Sequence, residues 1–241
     1  MRIAMWSGPR NLSTAMMYSF GARSDCAVWD EPFYAAYLSH SDAVHPMQAE
    51  ILAAGISDPA KVAARCATGA IPDGKPVFYQ KHMAHHMLPE FPRDWMKDLT
   101  HVFLIRHPAR VIASYHVKAE NPTLRDIGAV ELTDLFKEVA SLTGRSPVVI
   151  DSVDIRQNPE AMLRKLCAAI GLPFEPAMLS WPKGGHNDDG VWARHWYNAV
   201  WNSTGFAGAE GPLPAVPEHL TPVLEQALPH YERLAELKLT L

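Results

Sequence analysis

The chain has 241 residues, of which 48% are hydrophobic and 20% charged, with a formal net charge of −4. That is enough apolar material for a real core, and the weakly acidic balance argues against a nucleic-acid partner or a membrane surface. Three cysteines, Cys26, Cys66 and Cys167, stand far apart without a C-x-x-C pair, which supports neither a zinc site nor a disulfide framework.

No apolar leader opens the sequence, and no stretch approaches roughly eighteen consecutive apolar residues. The expectation is a cytoplasmic protein whose anion-binding capacity, if any, is local. In chain order, the first apolar run spans Arg2 to Trp6 and leads through SGPRNLST into a helical pattern over Ser13–Gly21. A second run, Cys26–Trp29, precedes a loop-rich stretch from Asp30 to His45, then helical patterns at Pro46–Ala54 and Pro59–Thr68. Strand-like runs follow at Pro76–Tyr79 and His101–Ile105, a helix at Pro108–Val117, another at Val130–Thr143, and a strand at Pro147–Ile150.

The clearest helix covers Asn158–Ile170. Asn158 can cap its first turn, Pro159 fits the first helical position, and Gly171 suits the stop. A second loop-rich stretch, Trp181–Pro217, holds much of the glycine and tryptophan, and Pro217–Leu237 reads as a last helix. The apolar runs are uninterrupted rather than alternating, as strands covered on both faces require. Residues 1–241 are therefore read as one α/β domain. Its parallel sheet has about five strands with flanking helices, and a loop-rich and helical elaboration begins at about residue 181.

The first loop has the layout of an anion site. A strand feeding a helix through a tight turn aims backbone N–H groups beyond the strand end, and the helix dipole adds partial positive charge. Gly8 permits a backbone angle other residues avoid; Pro9 and Leu12 complete the turn; Asn11, Ser13 and Thr14 offer neutral donors; Arg10 adds a permanent charge. The Lys-Ser/Thr of a metal–nucleotide loop is missing. The plain alternative is a turn capped by Asn11 or Ser13 with Arg10 on the surface.

A second basic element lies in HVFLIRHPARVIASY. Arg106 closes a strand, and Ser114 stands about two turns into the next helix, so both can reach the same sheet edge and form a second anion pocket.

Together these parts resemble sulfotransferases that use 3′-phosphoadenosine 5′-phosphosulfate, in particular a bacterial sulfotransferase-like branch. In that family the first strand–loop–helix binds the 5′-phosphosulfate, and a strand-end Arg with Ser eight residues later binds the 3′-phosphate, the spacing of Arg106 and Ser114. The stretch VVIDSVDIRQNPEAMLRKLCAAIGL looks like the family's next segment, a strand, a short acidic turn and a capped helix. Arg10 stands where many members carry lysine, and Leu12 where many carry glycine. The resemblance implies a three-layer, P-loop NTPase-like α/β fold and the nucleotide donor as co-substrate. It also implies a small-molecule acceptor with a hydroxyl or amine; because a sulfuryl group carries less charge than a phosphoryl group, and no carboxylate pair for magnesium stands out, no metal is required.

It further implies roles. Arg10 stabilises the leaving oxygens. Lys81, His82 and His85, in YQKHMAHHM, lie where a Lys-x-His element supplies a basic histidine in animal-type members. Glu31, in Asp30-Glu31-Pro32-Phe33, resembles the carboxylate base of bacterial carbohydrate-type members and competes with His82 and His85 for the role. Lys183, Gly184 and Gly185 match a late loop that clasps the 3′-phosphate. Trp192, His195 and Trp196 are lid or acceptor-pocket candidates, although aromatic residues at helical spacing also serve as core. Two other readings stay open: a small-molecule kinase binding ATP with magnesium, and a non-catalytic nucleotide-binding protein on the same fold.

Overall fold

The computed structural model describes residues 1–116 and 121–241. Its five strands are β1 (Arg2–Ser7), β2 (Cys26–Asp30), β3 (Val77–Met83), β4 (Thr100–Ile105) and β5 (Val148–Asp151). They form one sheet in the order β2-β3-β1-β4-β5, with every pairing parallel. The first helices are α1 (Ser13–Gly21), α2 (Tyr34–His40), α3 (Gln48–Ala54), α4 (Pro59–Thr68), α5 (Pro108–His116) and α6 (Leu124–Ile127). The rest are α7 (Ala129–Thr143), α8 (Ser152–Gln157), α9 (Pro159–Ile170), α10 (Ala193–Trp196), α11 (Asn198–Trp201) and α12 (Thr221–Ala235).

Successive strand residues point to opposite faces, and here both faces are covered. In β1, Ile3 and Met5 join a core with Met16 and Phe20 of α1 and Leu166 of α9. Ala4 and Trp6 join the opposite core with Leu38 of α2 and Phe136 and Val139 of α7. Trp6 is fully buried, and its Nε1 donates to His101 Nδ1 at 2.9 Å, which satisfies the indole inside that core. Each large side chain buried this way contributes roughly 1.5–3 kcal/mol before conformational entropy is charged against it.

The caps read from the sequence form as expected on α9. Asn158 accepts a hydrogen bond from the Ala161 N–H at 3.1 Å, and Gly171 takes the left-handed conformation (φ 73°) that ends the helix. A parallel sheet puts all strand C-termini on one edge, where ligands bind in open α/β folds. Register aligns Ser7 of β1 with Met83 of β3 and Leu104 of β4, while Asp30 of β2 sits opposite Lys81. Gly8 departs from that edge directly beneath the α6–α7 turn. A Cβ there would lie 2.6 Å from the Ile127 carbonyl oxygen. Close packing, not an unusual φ, is what requires glycine.

Several boundaries differ from the sequence reading. β3 runs to Met83 rather than Tyr79, so Lys81 and His82 are strand residues and not part of the loop beyond it. The stretch Asp30–His45 contains α2, whose Tyr34, Ala35, Ala36, Tyr37 and Leu38 are buried in an unbroken run and so show no helical stripe in sequence. The helix expected from Pro46 begins at Gln48, the one expected from Val130 begins at Ala129, and the acidic turn after β5 is α8, capped by Asp151. Trp181–Pro217 holds α10 and α11; the last helix, α12, is preceded by a separate turn over Glu218–Leu220. Val117, the expected end of α5, lies outside the described residues.

Cys26, Cys66 and Cys167 are buried and free. Among the described residues no helix is long and apolar enough to cross a membrane.

Candidate active site

The strand C-termini frame a cavity of about 360 Å³ lined by the β1–α1 loop. Arg10 (φ 62°) and Leu12 (φ 75°) both adopt the left-handed region, which costs energy for side-chain-bearing residues. Leu12 is the N-cap of α1 and makes no side-chain cap bond, and the first turn has no acidic residue. Asn11 does not cap either. Its Nδ2 donates to the Leu104 carbonyl at 3.2 Å and ties the loop to β4. The N-terminal turn of α1 is thus left without a side-chain acceptor, as an anion site requires. Pro9, Arg10, Asn11, Leu12, Ser13 and Thr14 line the cavity, whereas Gly8 lies behind them.

On the β4–β5 side, the two basic elements meet. Arg10 Nε donates to Ser114 Oγ at 2.9 Å, and an Arg106 N–H donates to the Arg10 carbonyl at 2.8 Å. Burial and the neighbouring Arg106 pull the Arg10 guanidinium below its ordinary pKa, although arginine remains charged at neutral pH. Arg106 also pairs with Glu210, which receives Arg110 at 3.0 Å and Arg156 at 2.7 Å. Burial alone would push the Glu210 carboxyl up, but Arg106, Arg110 and Arg156 outweigh it and hold the group below the usual carboxylate range. Three guanidinia against one carboxylate leave a local surplus of positive charge.

On the β2–β3 side lies an acidic nest. Lys81 is fully buried, and its ammonium donates to Asp30 at 2.9 Å, Glu31 at 2.5 Å and the Tyr197 hydroxyl at 2.8 Å. That uses all three of its N–H donors. The Tyr197 hydroxyl donates to Asp30 at 2.8 Å and accepts from the Trp192 indole at 3.0 Å, which couples α10 and its flanks to the nest. Burial opposes the Lys81 charge, yet Asp30 and Glu31 raise its pKa overall. Burial raises the Glu31 carboxyl above its ordinary value despite Lys81. Glu31 has φ 40°, and its N–H is bonded to the Lys81 carbonyl at 2.9 Å, so the backbone turns the carboxyl back into the cavity.

The histidines divide. His82 does not reach the cavity: it stacks on Trp6 (4.4 Å between ring centroids) and bonds Gln80, because its place in β3 points it into the core. Burial holds it well below the ordinary histidine pKa. His85 and His86 line the cavity, and Nδ1 of each is buried without a partner among the described residues. Burial pushes His85 down to about 3 and His86 well below its usual value, so both are neutral. Among the described residues, no group of three or more His, Cys, Asp or Glu is arranged to hold a metal ion.

Arg10, Glu31, Lys81, His85, Arg106 and Ser114 therefore share one cavity. Lys183, Gly184 and Gly185 do not line it. Lys183 is exposed, and the Gly184 N–H bonds the Trp201 carbonyl at 2.9 Å. A bridge between Ser180 and Gly205 folds this segment so that its later limb, Ser203 to Ala207, faces the cavity instead. Trp192 and Trp196 line the cavity, while His195 packs edge-on against Trp196 outside it. Tyr197, Arg156 and Glu210 escaped the sequence reading. Glu210 had a faint signal, a lone acid in the small-residue run Ala-Gly-Ala-Glu-Gly, but its partners are unreadable without the fold.

A family profile described as "Sulfotransferase domain" matches residues 1–237. Two Arabidopsis thaliana proteins, branched-chain-amino-acid aminotransferase-like proteins 2 and 1, are each 35% identical over 232 residues. That match covers 96% of this chain and 41% of either relative, so the chain spans about two-fifths of their length. Among solved structures, a sulfotransferase from Alicyclobacillus acidocaldarius aligns with TM-score 0.55 at 13% identity, over 98% of this chain and 94% of that one. The sulfotransferase domain of the Synechococcus PCC 7002 olefin synthase aligns with TM-score 0.53 at 14% identity, covering 93% of both chains. At these identities the structural matches establish a shared fold.

Proposed function

The chain belongs to the sulfotransferase-domain family, and from that premise we propose that it transfers a sulfuryl group from 3′-phosphoadenosine 5′-phosphosulfate to a hydroxyl or amine of a small acceptor. One observation carries this reading. The uncapped turn of α1, with Arg10 and Arg106 beside it, and the Glu31 carboxyl line opposite sides of the same cavity.

The residues present fit the two anionic parts of that donor. Loop N–H groups and Arg10 suit the phosphosulfate, while Arg106, whose Nε is buried without a partner among the described residues, suits the 3′-phosphate. When bound, the donor supplies the sulfuryl group and an anionic leaving group. In this reading Arg10 neutralises charge on the leaving oxygens, a role its hydrogen bond to Ser114 supports by holding the guanidinium in orientation. Because arginine does not readily give up a proton, Arg10 acts electrostatically.

Glu31 takes the acceptor's proton. Its Oε1 is fixed by Lys81, while Oε2 has no hydrogen-bond partner among the described residues and lies 3.9 Å from His86 Nδ1. A carboxyl raised toward working pH is a better base than an ordinary one, whereas His85 is too weakly basic to hold a proton. Lys81, with its donors spent on the nest, is a positioning residue for Glu31 rather than a clamp on the sulfuryl oxygens.

Incubation with the donor and a panel of hydroxyl and amine acceptors tests this directly. Acceptor-dependent release of adenosine 3′,5′-bisphosphate is expected, and it should disappear in Glu31→Gln. A protein that binds the bisphosphate but releases none with any acceptor would be a binding protein.

A further inference from the structure

The acceptor half of the cavity lies on the β2–β3 side, and its charge is fully accounted for. Lys81 is committed to Asp30, Glu31 and Tyr197, so two carboxyls face one ammonium and the nest is at most neutral. The three imidazoles beside it, His45, His85 and His86, are each held below the ordinary histidine pKa by burial and carry no charge. Arg125 acts on His85 from outside the cavity lining and is countered there by Asp126. The guanidinia that do line the cavity follow β1, β4 and β5 rather than β2 and β3. Arg10 is bonded to Ser114, and Arg106 and Arg156 are paired with Glu210. An anionic group on the acceptor would meet Glu31 on this side, where Lys81 is already paired.

The walls carry a second, independent observation. The His86 ring lies between Tyr34 and Tyr37, with centroids 4.5 Å and 4.8 Å away and interplanar angles of 19° and 22°. Trp192 closes on Tyr34 edge-on at 5.0 Å. Of this group Tyr34, His86 and Trp192 line the cavity while Tyr37 lies behind them, so the wall is apolar and offers an anion no counter-charge. Beside that wall the buried Nδ1 of His86, 3.9 Å from Glu31 Oε2, has no hydrogen-bond partner among the described residues, and a neutral hydroxyl can supply one without adding charge.

We infer that the acceptor is a hydroxyl compound that is uncharged or cationic, and that a carboxylate or phosphate on it is rejected. The inference rests on the proposed transfer reaction for calling this half the acceptor site, but its test needs no turnover.

Three ligands of one shape separate the charges: 4-ethylphenol, tyramine and 4-hydroxyphenylacetate. Calorimetric titration into the protein, with and without adenosine 3′,5′-bisphosphate, should show the neutral and cationic phenols binding. The acid should bind about tenfold or more weakly, as expected when like charges are juxtaposed in a desolvated site. Glu31→Gln should narrow the acid's disadvantage and weaken tyramine. Equal or tighter binding of the acid would overturn the inference, and so would binding by none of the three. Failure of the bisphosphate itself to bind counts against the donor site and leaves the ranking of the three phenols to stand or fall separately.

Discussion

Arg10 Nε donates to Ser114 Oγ at 2.9 Å, which joins the first loop to a helix residue 104 positions later. With the Arg106 bond to the Arg10 carbonyl, this merges what read as two anion pockets into one continuous basic wall. Arg10→Ala should lower kcat by about 10²–10³-fold, the loss expected for a preorganised transition-state donor. Ser114→Ala should lose about tenfold, since it removes only the orientation of that donor. Steady-state kinetics at saturating donor checks both; equal losses would place Ser114 in direct contact with the reacting group.

Glu210 occupies the guanidinia that a 3′-phosphate would use. A phosphate must share or displace it, so Glu210→Gln should tighten adenosine 3′,5′-bisphosphate binding by about tenfold, or 1.4 kcal/mol. Calorimetry reads this directly. Weaker binding in the variant would mean that Glu210 instead holds Arg106, Arg110 and Arg156 in the geometry the phosphate needs.

The pH profile follows from Glu31. A base works when deprotonated, and burial raises this carboxyl, so kcat/KM should rise with pH along a limb above the ordinary glutamate value of about 4.3. The neighbouring Asp30 charge raises the Glu31 pKa, so Asp30→Asn should move the limb to lower pH while leaving nucleotide affinity unchanged. Glu31→Gln should abolish the limb. A limb that persists in Glu31→Gln would assign the base elsewhere.

The sheet was legible because its strands are buried on both faces and therefore apolar without interruption, as in Ile3–Trp6 and His101–Ile105. The exception is β3, where the polar run Gln80-Lys81-His82 hides a strand; Gln80 and Lys81 find partners through the fold, and His82 bonds Gln80 along the strand. Arg10, Arg106 and Ser114 could be read because one loop and one strand–helix unit carry them at fixed spacing. Tyr197 and Glu210 could not, because they act through partners 167 and 104 positions away. The Lys183–Gly185 segment carried the expected composition, but the bridge between Ser180 and Gly205 presents the following limb to the cavity.

The donor assignment is the claim on which the rest depends, and binding of adenosine 3′,5′-bisphosphate against ADP tests it most directly. Both are titrated into the native protein and into Arg106→Ala. The native protein should prefer the bisphosphate by about tenfold or more, the worth of one charge-assisted phosphate contact, and the variant should lose that preference while still binding ADP. Equal affinity for the two nucleotides in the native protein would contradict the account.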